Sequence, residues 1–231
     1  MSKGWPTSSA MVLPLMVAAV TACSKPAPEA PPQAAVPSAP VKRAVKPPAD
    51  APHWDYESAG PAKWASLSPD FAACGAGKSQ SPIDLHGAKG AGLSQLLTSF
   101  RPAEMHLVHK AADGRLAVIG VLFEEGAANN AIEPIWANLP STKGEEHHLA
   151  NVTVDADDLL PTSRASYRYS GSLTTPPCSE DVTWIVMSTP VTMSAEQLGR
   201  LRSTLVGNNR PVQPGNGRPL VLEGVEETAA R

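Results

Sequence analysis

Positive charge is not in surplus in this 231-residue chain: its formal net charge is -3, and its Lys and Arg residues are scattered rather than striped along one face. Nucleic acid therefore has no basic field to bind. A membrane-spanning run is also lacking, because the longest apolar stretch, Ala10 to Ala22, is short and carries Pro14. There is no internal repeat, no phosphate-cradling glycine loop and no prominent carboxylate pair. Cysteine occurs only three times. What remains is the length and modest apolar fraction of one soluble domain with a sizeable core.

The N-terminus reads as an export signal. Lys3 precedes the apolar stretch, and the small-residue run Val20-Thr21-Ala22 ends at Cys23. This resembles the bacterial lipobox, in which the cysteine thiol receives diacylglycerol and becomes the new N-terminus. Each buried acyl methylene then contributes about 0.8 kcal/mol to membrane anchoring. An ordinary cleaved signal peptide, with Cys23 incidental, is the alternative. Ser24 after the cysteine resembles lipoproteins sent to the outer membrane, which places the domain on a membrane facing the periplasm. Residues 1–22 are thus expected to be the signal peptide. Residues 23–52 are the lipidated cysteine and a tether, because their Pro and Ala content buries too little apolar surface to fold and keeps the chain extended. Without Cys23, Cys74 and Cys178 form an even pair in an oxidising compartment, which suggests a disulfide, with two free thiols as the alternative.

From His53 the character changes. Trp54, Tyr56 and Trp64 appear, then short apolar runs broken by Pro and Gly, as in a sheet-rich domain. Glu104 to His109 alternates as a strand. Leu116 to Phe123 is nearly continuous and apolar, which predicts a strand covered on both faces. Asp113-Gly114 between them signals a hairpin turn. Residues 129–138 are compatible with a short helix limited by Pro134. Val182 to Met187 predicts another strand, and Ser194-Ala-Glu-Gln197 is a capping box opening a helix with Leu198, Leu201 and Leu205 on one side. Within the first strand, the period of two puts Glu104, His106 and Val108 on one face and Met105, Leu107 and His109 on the other. A carboxylate two residues from a histidine on one face is placed to hold one ring nitrogen and leave the other for a metal. A packed or surface histidine has the same spacing.

The string Gly171-Ser-Leu-Thr-Thr-Pro-Pro-Cys-Ser-Glu180, followed by Val182-Thr-Trp184, resembles the α-carbonic anhydrases. So do His53-Trp-Asp-Tyr56, Gly77-Lys-Ser-Gln-Ser-Pro-Ile-Asp84, Glu104-Met-His-Leu-Val-His109 and Asn208-Asn-Arg-Pro-Val-Gln-Pro214, in family order. The resemblance implies a mainly β fold for residues 53–226: a twisted, largely antiparallel central sheet with small peripheral helices. It also implies a zinc ion on three histidines and a bound water whose pKa falls to about 7, yielding the hydroxide that converts carbon dioxide to bicarbonate. Carried over by motif, His106 is the third zinc ligand, Glu104 its hydrogen-bonding partner, and Thr174 the residue that orients the zinc-bound hydroxide. Val108, Val118, Leu173, Val182 and Trp184 line the carbon dioxide pocket, with Thr175 at the cleft wall. Cys74 and Cys178 match the disulfide of bacterial members.

The family normally has several strands between the positions of Asp84 and Glu104, and this chain has only residues 85–103 there. The Gln-Phe-His-Phe-His strand that supplies two zinc ligands is missing, as is the Pro-Ser-Glu that receives the Thr174 hydroxyl. A full structural site is worth about 10 to 16 kcal/mol, of which one histidine keeps a small part. Zinc is therefore expected to bind weakly or not at all, and several strands of the fold are expected to be missing. Three functions remain open: a zinc-dependent carbonic anhydrase of the cell envelope, a carbonic-anhydrase-related binding or scaffold lipoprotein without catalysis, and the product of a damaged gene.

Overall fold

A computed structural model describes residues 52–86, 88, 102–140, 147, 149–150, 152–205 and 207–224. The expected signal peptide, Cys23, the tether up to residue 51 and, within the shortened stretch 85–103, residues 87 and 89–101 lie outside the described residues.

The strand β2 (Leu116–Glu125) organises the sheet. It is joined to β1 (Ala103–Lys110) by a tight hairpin in which Ala111 N–H donates to Arg115 O (2.9 Å) and Gly114 N–H to Ala111 O (3.0 Å). Gly114 sits at φ +92°, a conformation glycine adopts without steric cost, and Asp113 receives the N–H of Arg115. The other strands are β3 (Ser166–Gly171), β4 (Val182–Met187), β5 (Val191–Met193) and β6 (Val221–Glu223). Their order is β1-β2-β4-β3-β6, with β5 pairing the end of β2. The sheet is more mixed than expected. The β1–β2, β3–β4 and β3–β6 pairs are antiparallel, whereas β2 runs parallel to both β4 and β5. Parallel neighbours need long crossovers, and the segment between β2 and β4 supplies one.

The apolar run of β2 is explained by cores on both sheet faces. Val118 and Leu122 pack with Tyr167, Tyr169, Val182, Trp184 and Val186 on one side. Phe123 packs with Ile132, Leu159, Met193 and Leu198 on the other, where Met105 and Leu107 of β1 join it. Among the described residues four short α-helices flank the sheet: α1 (Trp64–Leu67), α2 (Ala73–Ala76), α3 (Glu133–Trp136) and α4 (Ala195–Thr204). Pro134 falls in the first turn of α3, where its missing N–H costs nothing. The capping box of α4 is present, with Ser194 and Gln197 satisfying each other's main chain. Leu198 is buried, but Leu205 lies beyond the last helical turn as its C-cap and is exposed rather than packed with it.

A third cluster gathers Trp54, Tyr56 and Trp64 edge to face, with ring centroids 5.5 to 5.8 Å apart, around Phe71 and a disulfide between Cys74 and Cys178. The buried Arg210 crosses from this cluster to the site. Its guanidinium lies 5.8 Å from the Trp64 ring and donates to the carbonyls of Cys74 (2.8 Å) and Ser81 (2.9 Å).

Candidate active site

Three sequence-distant segments meet at one end of the first core. Segment 77–84 docks on the loop after β3 through reciprocal bonds: Ser81 N–H donates to Ser172 Oγ (2.9 Å), and Ser172 N–H donates to Ser81 Oγ (3.0 Å). Gln80 Nε2 donates to Glu180 Oε1 (2.9 Å) and to the Cys178 carbonyl (3.1 Å), while Ser79 N–H reaches the same carboxylate at 2.6 Å. These donors, Gln80 foremost, hold the Glu180 carboxyl below its ordinary range. Arg218 closes the third side, donating to the carbonyls of Ser170 (2.9 Å) and Gln80 (2.8 Å).

This frame fixes Trp184. Its indole N–H donates to the Ser172 carbonyl at 2.9 Å, and Tyr169 stacks on it with centroids 5.9 Å apart. Burial pushes the Tyr169 phenol above its ordinary pKa. Against the other edge of the indole stands His106, ring centroid 4.9 Å away and nearly perpendicular. His106 Nε2 lies 3.4 Å from Glu104 Oε1, so the carboxylate faces Nε2 and Nδ1 is the nitrogen left to a ligand. Gly120 stands opposite His106 in the β1–β2 register, and a Cβ there would lie 2.5 Å from Glu104 Oε1. The missing side chain is what leaves room for the carboxylate. Neither Gly120 nor Tyr169 was identified from the sequence, although a glycine inside an apolar strand signals a close approach.

Of the predicted pocket residues, Val118, Val182 and Trp184 are buried and adjacent: Val118 registers with Trp184, and Leu116 with Val182. Leu173 packs partly buried against the same core. Val108, paired with Val118, is 59% exposed, so the pocket wall on that side opens to solvent. Thr174 and Thr175 are half-buried in the loop after β3, which is shaped by Leu173 N–H to Ser179 O (3.0 Å) and Cys178 N–H to Thr175 O (2.9 Å). The Thr174 hydroxyl has no hydrogen bond to a described residue.

Among the described residues the donor set does not fit a tetrahedral zinc. Among the described residues no three His, Cys, Asp or Glu side chains converge. The chain has six histidines, and of the five among the described residues only His106 belongs to this face. His86 binds Asp84, His53 lies by Asp55, His109 Nδ1 is 3.0 Å from Leu107 O and His147 Nδ1 is 3.1 Å from Asn138 O. His148 lies outside the described residues.

Residues 96–223 match the family model described as eukaryotic-type carbonic anhydrase. The carbonic anhydrase of Pectobacterium carotovorum is 37% identical over 224 residues, covering 74% of this chain and 91% of that protein. The α-carbonic anhydrase of Thermovibrio ammonificans, solved with the inhibitor sulfanilamide, aligns with a TM-score of 0.65 at 34% identity, over 73% of this chain and 98% of that one. The Photobacterium profundum α-carbonic anhydrase aligns with a TM-score of 0.66 at 30% identity, over 73% and 100% of the two chains. The chain belongs to the α-carbonic anhydrase family.

Proposed function

We propose that this chain is a lipid-anchored envelope protein of the carbonic anhydrase family whose zinc-dependent hydration of carbon dioxide is lost or strongly impaired, and which serves as a binding or scaffold module. The observation that carries this reading is the lone imidazole. His106 keeps its carboxylate partner and its tryptophan wall, but among the described residues no second or third nitrogen ligand belongs to its face. Tetrahedral catalytic zinc needs three protein ligands within about 0.2 Å of ideal distances. The Thr174 hydroxyl, without a hydrogen bond to a described residue, agrees with this, since the segment that receives it in relatives is absent from the sequence. The Pectobacterium alignment runs over 224 residues but draws on 74% of this chain, so some aligned positions of the relative have no counterpart here, which agrees with the shortened stretch between Asp84 and Glu104. Carbon dioxide and bicarbonate remain the substrates to test, and zinc the metal.

Metal analysis of the disulfide-intact protein after zinc loading and dialysis should find far less than one zinc per chain. Stopped-flow hydration should show no inhibitor-sensitive rate. Stoichiometric, dialysis-resistant zinc would overturn the reading. The unmatched positions also favour a second reading, a gap in the gene or its sequence; resequencing that recovers codons for Gln-Phe-His-Phe-His would restore the enzyme. Anchoring is tested separately: Cys23→Ser should move the protein from the membrane to the soluble fraction, and continued retention would defeat the lipid assignment.

A further inference from the structure

β1 ends the sheet. All eight of its residues pair with β2 on one side, and no described strand lies on the other. Its main chain reaches solvent: the side chains of His106 and Glu104 keep only 31% and 30% of their surface, yet both residues as a whole are exposed. Val108, His109 and Lys110 are exposed as well. Edge strands are normally guarded by shortness, proline, a bulge or charged side chains; β1 runs eight residues in unbroken register without proline, and its formal charges, Glu104 and Lys110, are of opposite sign and near opposite ends. The opposite terminal strand, β6, is only three residues long.

We propose that this edge pairs with the same edge of a second copy of the chain, antiparallel about a two-fold axis through Leu107. Charge selects the arrangement. Centred on Leu107, the ribbon sets Glu104 opposite the partner's Lys110 and Lys110 opposite the partner's Glu104. His106 then faces the partner's Val108 on the same sheet face. Lys110 has no ion-pair partner among the described residues, so it is available. Parallel pairing would align Glu104 with Glu104 and Lys110 with Lys110, and like charges side by side oppose pairing. A slip of one residue mismatches the faces. A slip of two either stacks His106 on His106 and strands Lys110, or brings Lys110 against His106. Among the described residues each chain has one such edge, so the two-fold contact closes on itself and does not propagate. This inference is independent of whether zinc binds.

The test is sedimentation equilibrium of the full-length chain, with folding checked by circular dichroism. The wild type is expected to be a dimer. Lys110→Glu turns two attractions into repulsions and should raise the dissociation constant about tenfold. The charge-swapped double variant Glu104→Lys with Lys110→Glu should restore it. Val108→Lys, at an exposed position facing the partner's His106, should weaken the dimer independently and keeps the test decisive if the double variant fails to fold. A monomeric wild type, a dimer indifferent to Lys110→Glu, or open-ended oligomers would each overturn the proposal. So would a monomer whose β1 amides resist hydrogen exchange, because the edge would then be covered by another segment of the same chain.

Discussion

Replacing Gly171 by Ala probes the junction on which the whole site depends. Gly171 ends β3, pairs with Val182 and leads into the Thr174 loop. An added Cβ would collide with Ser81 Oγ and lie 2.8 Å from both Trp184 Cδ1 and Tyr169 Cε2. None of the three neighbours is free to yield. Ser81 Oγ accepts the Ser172 N–H, the Trp184 indole is tied to the Ser172 carbonyl, and Tyr169 is stacked on that indole. Overpacking of a tight core costs about 1 to 3 kcal/mol, and losing one buried hydrogen bond adds about 1 kcal/mol. The expected loss is therefore about 3 kcal/mol. Against a total stability of roughly 5 to 15 kcal/mol this is a large fraction. Urea unfolding followed by tryptophan fluorescence measures it. With a slope of about 2 kcal/mol/M, the midpoint should fall by about 1.5 M at unchanged slope. Gly199 in α4 is the control, since nothing lies within 4 Å of a Cβ there and the position is an exposed helix interior. Gly199→Ala should raise stability by about 1 kcal/mol. A Gly171→Ala loss below about 1 kcal/mol, or equal effects at the two glycines, would refute the packing argument.

Two further outcomes follow from the same structure. The Cys74–Cys178 bridge closes a separation of 104 residues, so the paired Cys→Ser variant should lose about 4 to 5 kcal/mol in the chain-entropy model; a loss under about 2 kcal/mol by urea unfolding would contradict it. Glu180 has its carboxyl held below the ordinary 4.5 by hydrogen bonds from Gln80 and Ser79, so its contribution is full above that value and is lost as pH falls through the depressed one. Glu180→Gln should flatten the decline of the urea midpoint as pH falls below the ordinary carboxylate value of 4.5, and an unaltered slope would count against the assignment.

Local chemistry made much of this protein legible in its amino-acid order. The Asp113-Gly114 turn, the Ser194 capping box, the alternation of β1 and the doubly covered run of β2 depend on residues a few positions apart, and each appears in the structure at its expected place. The long string from Gly171 to Trp184 carried the family, and the absence of the two-histidine strand was visible as missing letters. Tertiary structure decided what depends on distant contacts. The parallel pairing of β2 with β4, the stacking of Tyr169 on Trp184, and the space Gly120 leaves for Glu104 come from segments tens of residues apart whose mutual placement no local pattern encodes. The exposure of Val108 and of the β1 edge belongs to the same class, because burial is a property of what packs against a residue, and its neighbours in sequence do not determine it.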